Sequence, residues 1–255
     1  MKNKKEVKVE PKNPNGQAIL LRKSELLERF DNNSQDWKSI LAQEFGNENA
    51  DVILRDACMA FKKLLPVIPY IGGGRNHMTE HLITSAECLA FYKGMKANGK
   101  SAEETGKILY DAILLRGQIT EPPIPPSQWL SEDQLKERRM RRAQDSQEHK
   151  YSGDWVYEFI QGDGEVFDYG YDFSECGTRK FYHSQGAGEF LPFYCFLDYP
   201  ISRTGGYGLE RTATLAEGHS KCDHRFKNGR KTELEWPPPF IKKKDKRNVS
   251  KHTHK

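Results

Sequence analysis

The sequence predicts an α+β fold, with an N-terminal helical half packed with a C-terminal, mostly antiparallel sheet. Three observations predict it. Apolar residues between Leu20 and Arg116 recur at helical spacing. From Trp155 onward the period shortens to that of strands. Between the two lies a stretch, 119–150, rich in proline and then in charge, with little to bury.

Composition bounds the function classes. The chain has 255 residues, 36% hydrophobic and 11% aromatic, enough to bury a core. Its formal charge is +4, but residues 241–255 carry +6 and residues 1–12 carry +3, which leaves −5 for 13–240. A fold that is not basic gives no support to nucleic-acid binding. Residues 1–16 read as a disordered lead-in and 237–255 as a basic disordered tail, both solvated. No apolar run nears the ~20 residues of a membrane span, and the charged N-terminus lacks a secretory h-region. Five cysteines match no disulfide framework, so reduced thiols in the cytoplasm are expected. No cofactor motif is read.

The helical part spans 17–118. Leu20 to Phe30 carries apolar residues at helical spacing, and Ser34 is placed to cap a second helix through Trp37, Leu41 and Phe45. Ala50 to Leu65 gives a third helix, ended by Pro66 and Pro69. The glycines 72–74 precede a helix over Met78 to Ala97, which stops at Asn98-Gly99. His77-Met-Thr-Glu80-His81 matches a short zinc-peptidase pattern, but no third ligand follows at helical spacing, so it reads as a polar helix start facing solvent or a cleft. Cys58 and Cys88 read as structural. Ser101 to Glu104 is a capping box, and Gly117 reads as the terminus of the helix it opens.

The connector, 119–150, holds four prolines and then a charged run with a helical cap at Ser131, read as a solvated helix or a mobile linker. The sheet part is 151–236. Trp155 to Ile160 is a strand, 161–164 a hairpin turn, and Val166 to Tyr169 the return, with a polar connection from Asp172 to Cys176. Phe190 to Phe196 is either a short helix or an edge strand. Leu209 to Ala216 and Cys222 to Phe226 are the last strands, joined through Glu217-Gly218-His219.

The candidate chemistry lies in this part. Three of the five cysteines occur here, each near a carboxylate: Glu175-Cys176, Cys195 with Asp198, and Glu217 with Cys222-Asp223. On a strand, Cys222 and His224 share one face while Asp223 and Arg225 share the other. A thiol beside an imidazole can form the thiolate that nucleophilic catalysis needs, with a carboxylate to orient the ring. The bland reading is a buried cysteine beside an exposed histidine. Cys176, Cys195, Cys222 and His224 also make up the ligand types of a Cys3His zinc site, though without paired Cys-x-x-Cys arms. Arg203, Arg211 and Arg225 can each grip a substrate carboxylate bidentately.

These blocks carry a family resemblance. Pro69-Tyr70-Ile71-Gly72-Gly73, Glu175-Cys176-Gly177, Leu191-Pro192 to Cys195, Asp198, Arg211 to Gly218 and Cys222 to Phe226 resemble the L-2-amino-thiazoline-4-carboxylic acid hydrolase family over roughly 50–230. The family pattern has an aromatic where this chain has His224. The resemblance implies a hydrolase that opens a C–N or C–S bond of a cyclic, amidine-like small molecule. A cysteine would attack the amidinium carbon, or a carboxylate-activated water would do so, with Glu175, Asp198 or Glu217 holding the amidinium nitrogens. A second class stays open, a small-molecule-binding domain without turnover, as does the zinc protein.

Overall fold

The computed structural model describes residues 19–119 and 131–241. The lead-in, the proline run 120–130 and the tail beyond 241 lie outside the described residues.

Residues 23–45 form one helix, α1 (Lys23–Phe45), rather than two. Ser34 does not cap a second helix. Leu26, Phe30, Ser34, Trp37 and Leu41 make one continuous buried stripe, and the Ser34 hydroxyl donates back to the Asp31 carbonyl at 2.7 Å. Gly46, at φ 84°, turns the chain into α2 (Asn47–Leu64). Phe30, Trp37, Phe61 and Phe91 stack in the centre of this half.

Helix α3 (Met78–Ala97) is the spine of the molecule, buried on nearly every side from Leu82 to Met95. A Cβ at Gly94 would sit 2.7 Å from the backbone of Ile53 and Ala57, so glycine sets the close approach of α2 and α3. Helix α4 (Ala102–Ile119) opens on the expected capping box, with Ser101 and Glu104 bonded reciprocally. It runs through Gly117 instead of ending there; the glycine makes room for Thr204, which packs where a Cβ would stand.

Helix α5 (Glu132–Ser146) opens on a capping box at Ser131. It is no linker. Ala143 is buried, the Ser146 hydroxyl bridges the Tyr157 backbone, and the Arg139 guanidinium lies 3.7 Å over the Tyr169 ring.

The sheet is antiparallel, in the order β1-β2-β4-β3, with β1 Val156–Gln161, β2 Tyr169–Glu175, β3 Tyr207–Glu210 and β4 Cys222–Asn228. Two strand expectations shift. The return strand starts at Tyr169, because Asp163 captures the amides of Glu165 and Val166 in the turn. It continues through the supposed connection to Glu175, where Phe173 pairs with both neighbours. The strand expected over 209–216 ends at Glu210. Beyond it the Asp223 carboxylate takes the amides of Thr212 and Ala213, and Thr214 caps a short turn, Leu215–Glu217.

Between β2 and β3 run α6 (Gly177–Ser184), α7 (Leu191–Phe196) and α8 (Asp198–Thr204). Residues 190–196 are thus helical, with Pro192 in the first turn where its missing N–H costs nothing. The first residues of the expected tail are packed, since Phe240 meets Phe193 and Phe196.

Period two divides the sheet into two faces. Tyr157, Tyr171, Phe173, His224 and Phe226 contact one another on the inner face. Asp172, Asp223 and Arg225 stand on the outer one.

Candidate active site

Where α8 begins, Asp198 meets β4 and the segment after β3. Its Oδ2 accepts from Arg211 Nη1 at 2.7 Å and lies 3.3 Å from His224 Nε2. Arg211 Nη2 donates to the Cys195 carbonyl at 2.9 Å, and Nη1 is 3.3 Å from the same imidazole nitrogen. Two neighbours therefore compete for His224 Nε2. Protonated there, the ring donates to Asp198; bare, it accepts from Arg211. Its other nitrogen, Nδ1, is buried and has no hydrogen-bond partner among the described residues.

Exposure separates the members of this cluster. The Arg211 side chain is 5% exposed and that of Asp198 is 37% exposed. Solvent also reaches His81, whose imidazole interacts electrostatically with Asp198 and His224. It projects from the first turns of α3, its ring 5.5 Å from Trp155 and 6.4 Å from Tyr194.

The charges are set by these surroundings. Burial pushes the Asp198 carboxyl up, but the His224 hydrogen bond and the Arg211 charge outweigh it and hold it below the usual carboxylate range. Burial pulls His81 down, only partly offset by Asp198, so its imidazole is neutral at pH 7. The three thiols go the other way. Burial raises Cys176 to about 11 despite amide hydrogen bonds, and raises Cys195 and Cys222 too. The three thiols lie near one another. Cys176 caps α6, with its sulfur accepting from Arg179 N, and Cys222 sulfur accepts from Leu215 N at 3.1 Å.

The candidates named from the sequence divide accordingly. Cys176, Cys195, Cys222, Asp198, Arg211 and His224 come together. Glu175 points away, paired with Lys180 and His149. Asp223 and Arg225 are on the outer face, Asp223 bound to Thr212 and Arg225 to Asp172. Glu217 closes the turn capped by Thr214 and flanks a crevice of about 100 Å3 beside Arg211. Arg203 donates to the Thr232 carbonyl at 2.5 Å. Among the described residues, no three His, Cys, Asp or Glu side chains converge as a metal site.

His81 is the residue that sequence reasoning set aside. Its one signal was its place four residues after His77 at a helix start. Nothing in the sequence placed it beside Asp198, 117 positions away.

The sequence model of the L-2-amino-thiazoline-4-carboxylic acid hydrolase family matches residues 76–226. This is more than half of the chain, and it contains His81, the three thiols, Asp198, Arg211 and His224. The chain belongs to this family. No curated protein and no solved structure matches it at a significant level. No described helix is long and apolar enough to cross a membrane.

Proposed function

We propose that the chain is a hydrolase that opens the ring of a small cyclic amidine, such as a 2-amino-thiazoline carboxylate, with His81 as base and Asp198 as the amidinium partner. The observation that carries this reading is the pairing in one cluster of a neutral imidazole with an ionised carboxylate, both reached by solvent. Family membership supports the reaction class.

The substrate carbon lies between nitrogen and sulfur and carries partial positive charge. Asp198 is suited to hold the amidinium nitrogens, since its carboxylate accepts and never donates. Arg211 is sealed behind it and keeps it ionised. Neutral His81 takes a proton from water as the oxygen adds to the amidine carbon. The tetrahedral carbon then collapses and breaks its bond to sulfur. The sulfur leaves with the proton from His81, the hydroxyl releases its remaining proton to solvent, and the carbon retains the oxygen as a urea carbonyl. The balance is substrate plus one water.

Magnitude favours water over a thiol. A thiol titrating near 11 is about one part in 10⁴ ionised at pH 7, a penalty of roughly 5.5 kcal/mol. One observation keeps the thiol route as a second reading. Cys176 stands at the N-terminus of α6 and takes an amide hydrogen bond, the setting that best supports a thiolate. Turnover of L-2-amino-thiazoline-4-carboxylate by Cys176→Ser, with its product identified by mass, separates the two. The water route predicts activity within about threefold of the parent, and the thiol route predicts its loss.

A further inference from the structure

A cavity lies beside Trp155, whose ring also meets His81. It is a cleft of about 610 Å3 between the glycine loop, the start of α3, α5 and the entry to β1. That volume suits a small-molecule site. Five cationic side chains line it, Arg75, Arg138, Arg141, Arg142 and Lys150, against the carboxylates of Asp145 and Asp154. This concentration is local, since residues 13–240 together carry −5.

The cations are not matched inside the protein. Among the described residues, no carboxylate lies within ion-pair distance of the guanidinium of Arg75, Arg138, Arg141 or Arg142. Asp154 is already engaged by Asn76 and by the Trp155 amide. Lys150 pairs with Glu148. Arg138, Arg141 and Arg142 stand at i, i+3 and i+4 on one face of α5, where like charges repel. Burial, then the charges of Arg142 and Arg138, pull His77 down to about 4, so this histidine adds a neutral polar edge beside Tyr157. Guanidiniums left close together and unpaired, around a space of ligand size, are complementary to several negative charges at once.

We propose that this cleft binds a small polyanion, a molecule carrying two or more phosphate or carboxylate groups gripped by Arg75, Arg138, Arg141 and Arg142. None of His81, Asp198, Arg211 or His224 lines the cleft, and its ligand does not depend on the reaction proposed for them.

The test is titration calorimetry on the full chain with inorganic triphosphate and, in parallel, citrate. The expected result is saturable binding of at least one, with Kd below about 1 mM and weakening as salt rises. The double variant R138Q/R142Q should weaken it by about tenfold or more. Triphosphate favoured over citrate assigns a phosphate ligand, and the reverse a polycarboxylate. The lysine-rich termini can also hold anions, so binding that survives unchanged in R138Q/R142Q belongs to them and overturns the proposal. No saturable binding overturns it as well. The single variant R141E, at an exposed position, gives the same reading should the double variant fold poorly.

Discussion

Two acid–arginine pairs in this chain are built in opposite senses. In the helical half, Glu87 of α3 is 1% exposed, and its partner Arg29 reaches solvent. In the candidate active site the arginine is sealed and the acid reaches solvent. The pKa directions follow. Burial raises Glu87 in spite of Arg29, whereas Asp198 is held low by His224 and Arg211. A sealed carboxylate can escape its cost by taking a proton, but a sealed guanidinium cannot lose one. The first arrangement ties α1 to α3. The second presents a fixed negative charge to whatever approaches from solvent.

The largest effect that would break this contrast comes from the acids. Asp198→Asn should lower turnover by about 10³-fold or more while the fold persists, and Glu87→Gln should leave it within about threefold. Asp198→Ala removes the partner of a sealed arginine and should cost about 3 kcal/mol in denaturant unfolding. Equal turnover in the two amide variants would show that the pairs do the same job.

Next comes His81. Replacement by Ala should lower turnover by about 10²-fold or more with little change in melting temperature. Because its folded pKa is depressed, the imidazole stays neutral until the pH falls below the usual 6.5. The acid limb of the kcat profile should therefore lie below pH 6.5 and disappear in H81A.

Smaller and of opposite sign are the stability effects with pH. Asp198, with its folded pKa depressed, contributes stability above its unfolded pKa, near 3.8, and loses it as pH falls through the folded value. Glu87, with its folded pKa raised, contributes below its unfolded pKa, near 4.5, and loses it as pH rises through the folded value. At pH 7 Asp198→Asn should melt lower than the parent and Glu87→Gln at the same temperature or higher, with both differences shrinking toward pH 3.5. The smallest effect concerns the outer face. Asp223→Ala should cost about 1–2 kcal/mol through the lost Thr212 and Ala213 bonds, with kcat nearly unchanged.

Much of the fold was legible because local chemistry wrote it. The capping boxes at Ser101 and Ser131, the apolar stripes of α2 and α3 and the alternation of β4 all act within a few residues. Alternation also separated Cys222 and His224 from Asp223 and Arg225. What failed locally failed for nonlocal reasons. Ser34 looked like a cap until the buried stripe ran through it, and the strand after Glu210 was cut short by Asp223 from another segment. The thiols and Asp198 drew attention through their motif blocks. The interaction of His81 with Asp198 joins positions 117 apart, and no spacing along the chain encodes it.

The most direct test is to incubate purified parent chain, H81A and D198N with L-2-amino-thiazoline-4-carboxylate and follow the product by mass. The expected result is substrate plus one water from the parent, with the rate lowered about 10²-fold or more in H81A and further in D198N, all three remaining folded. Product formed by H81A at the parental rate would contradict it. So would a parent whose melting temperature rises with the compound while no product appears, the behaviour of a binding domain.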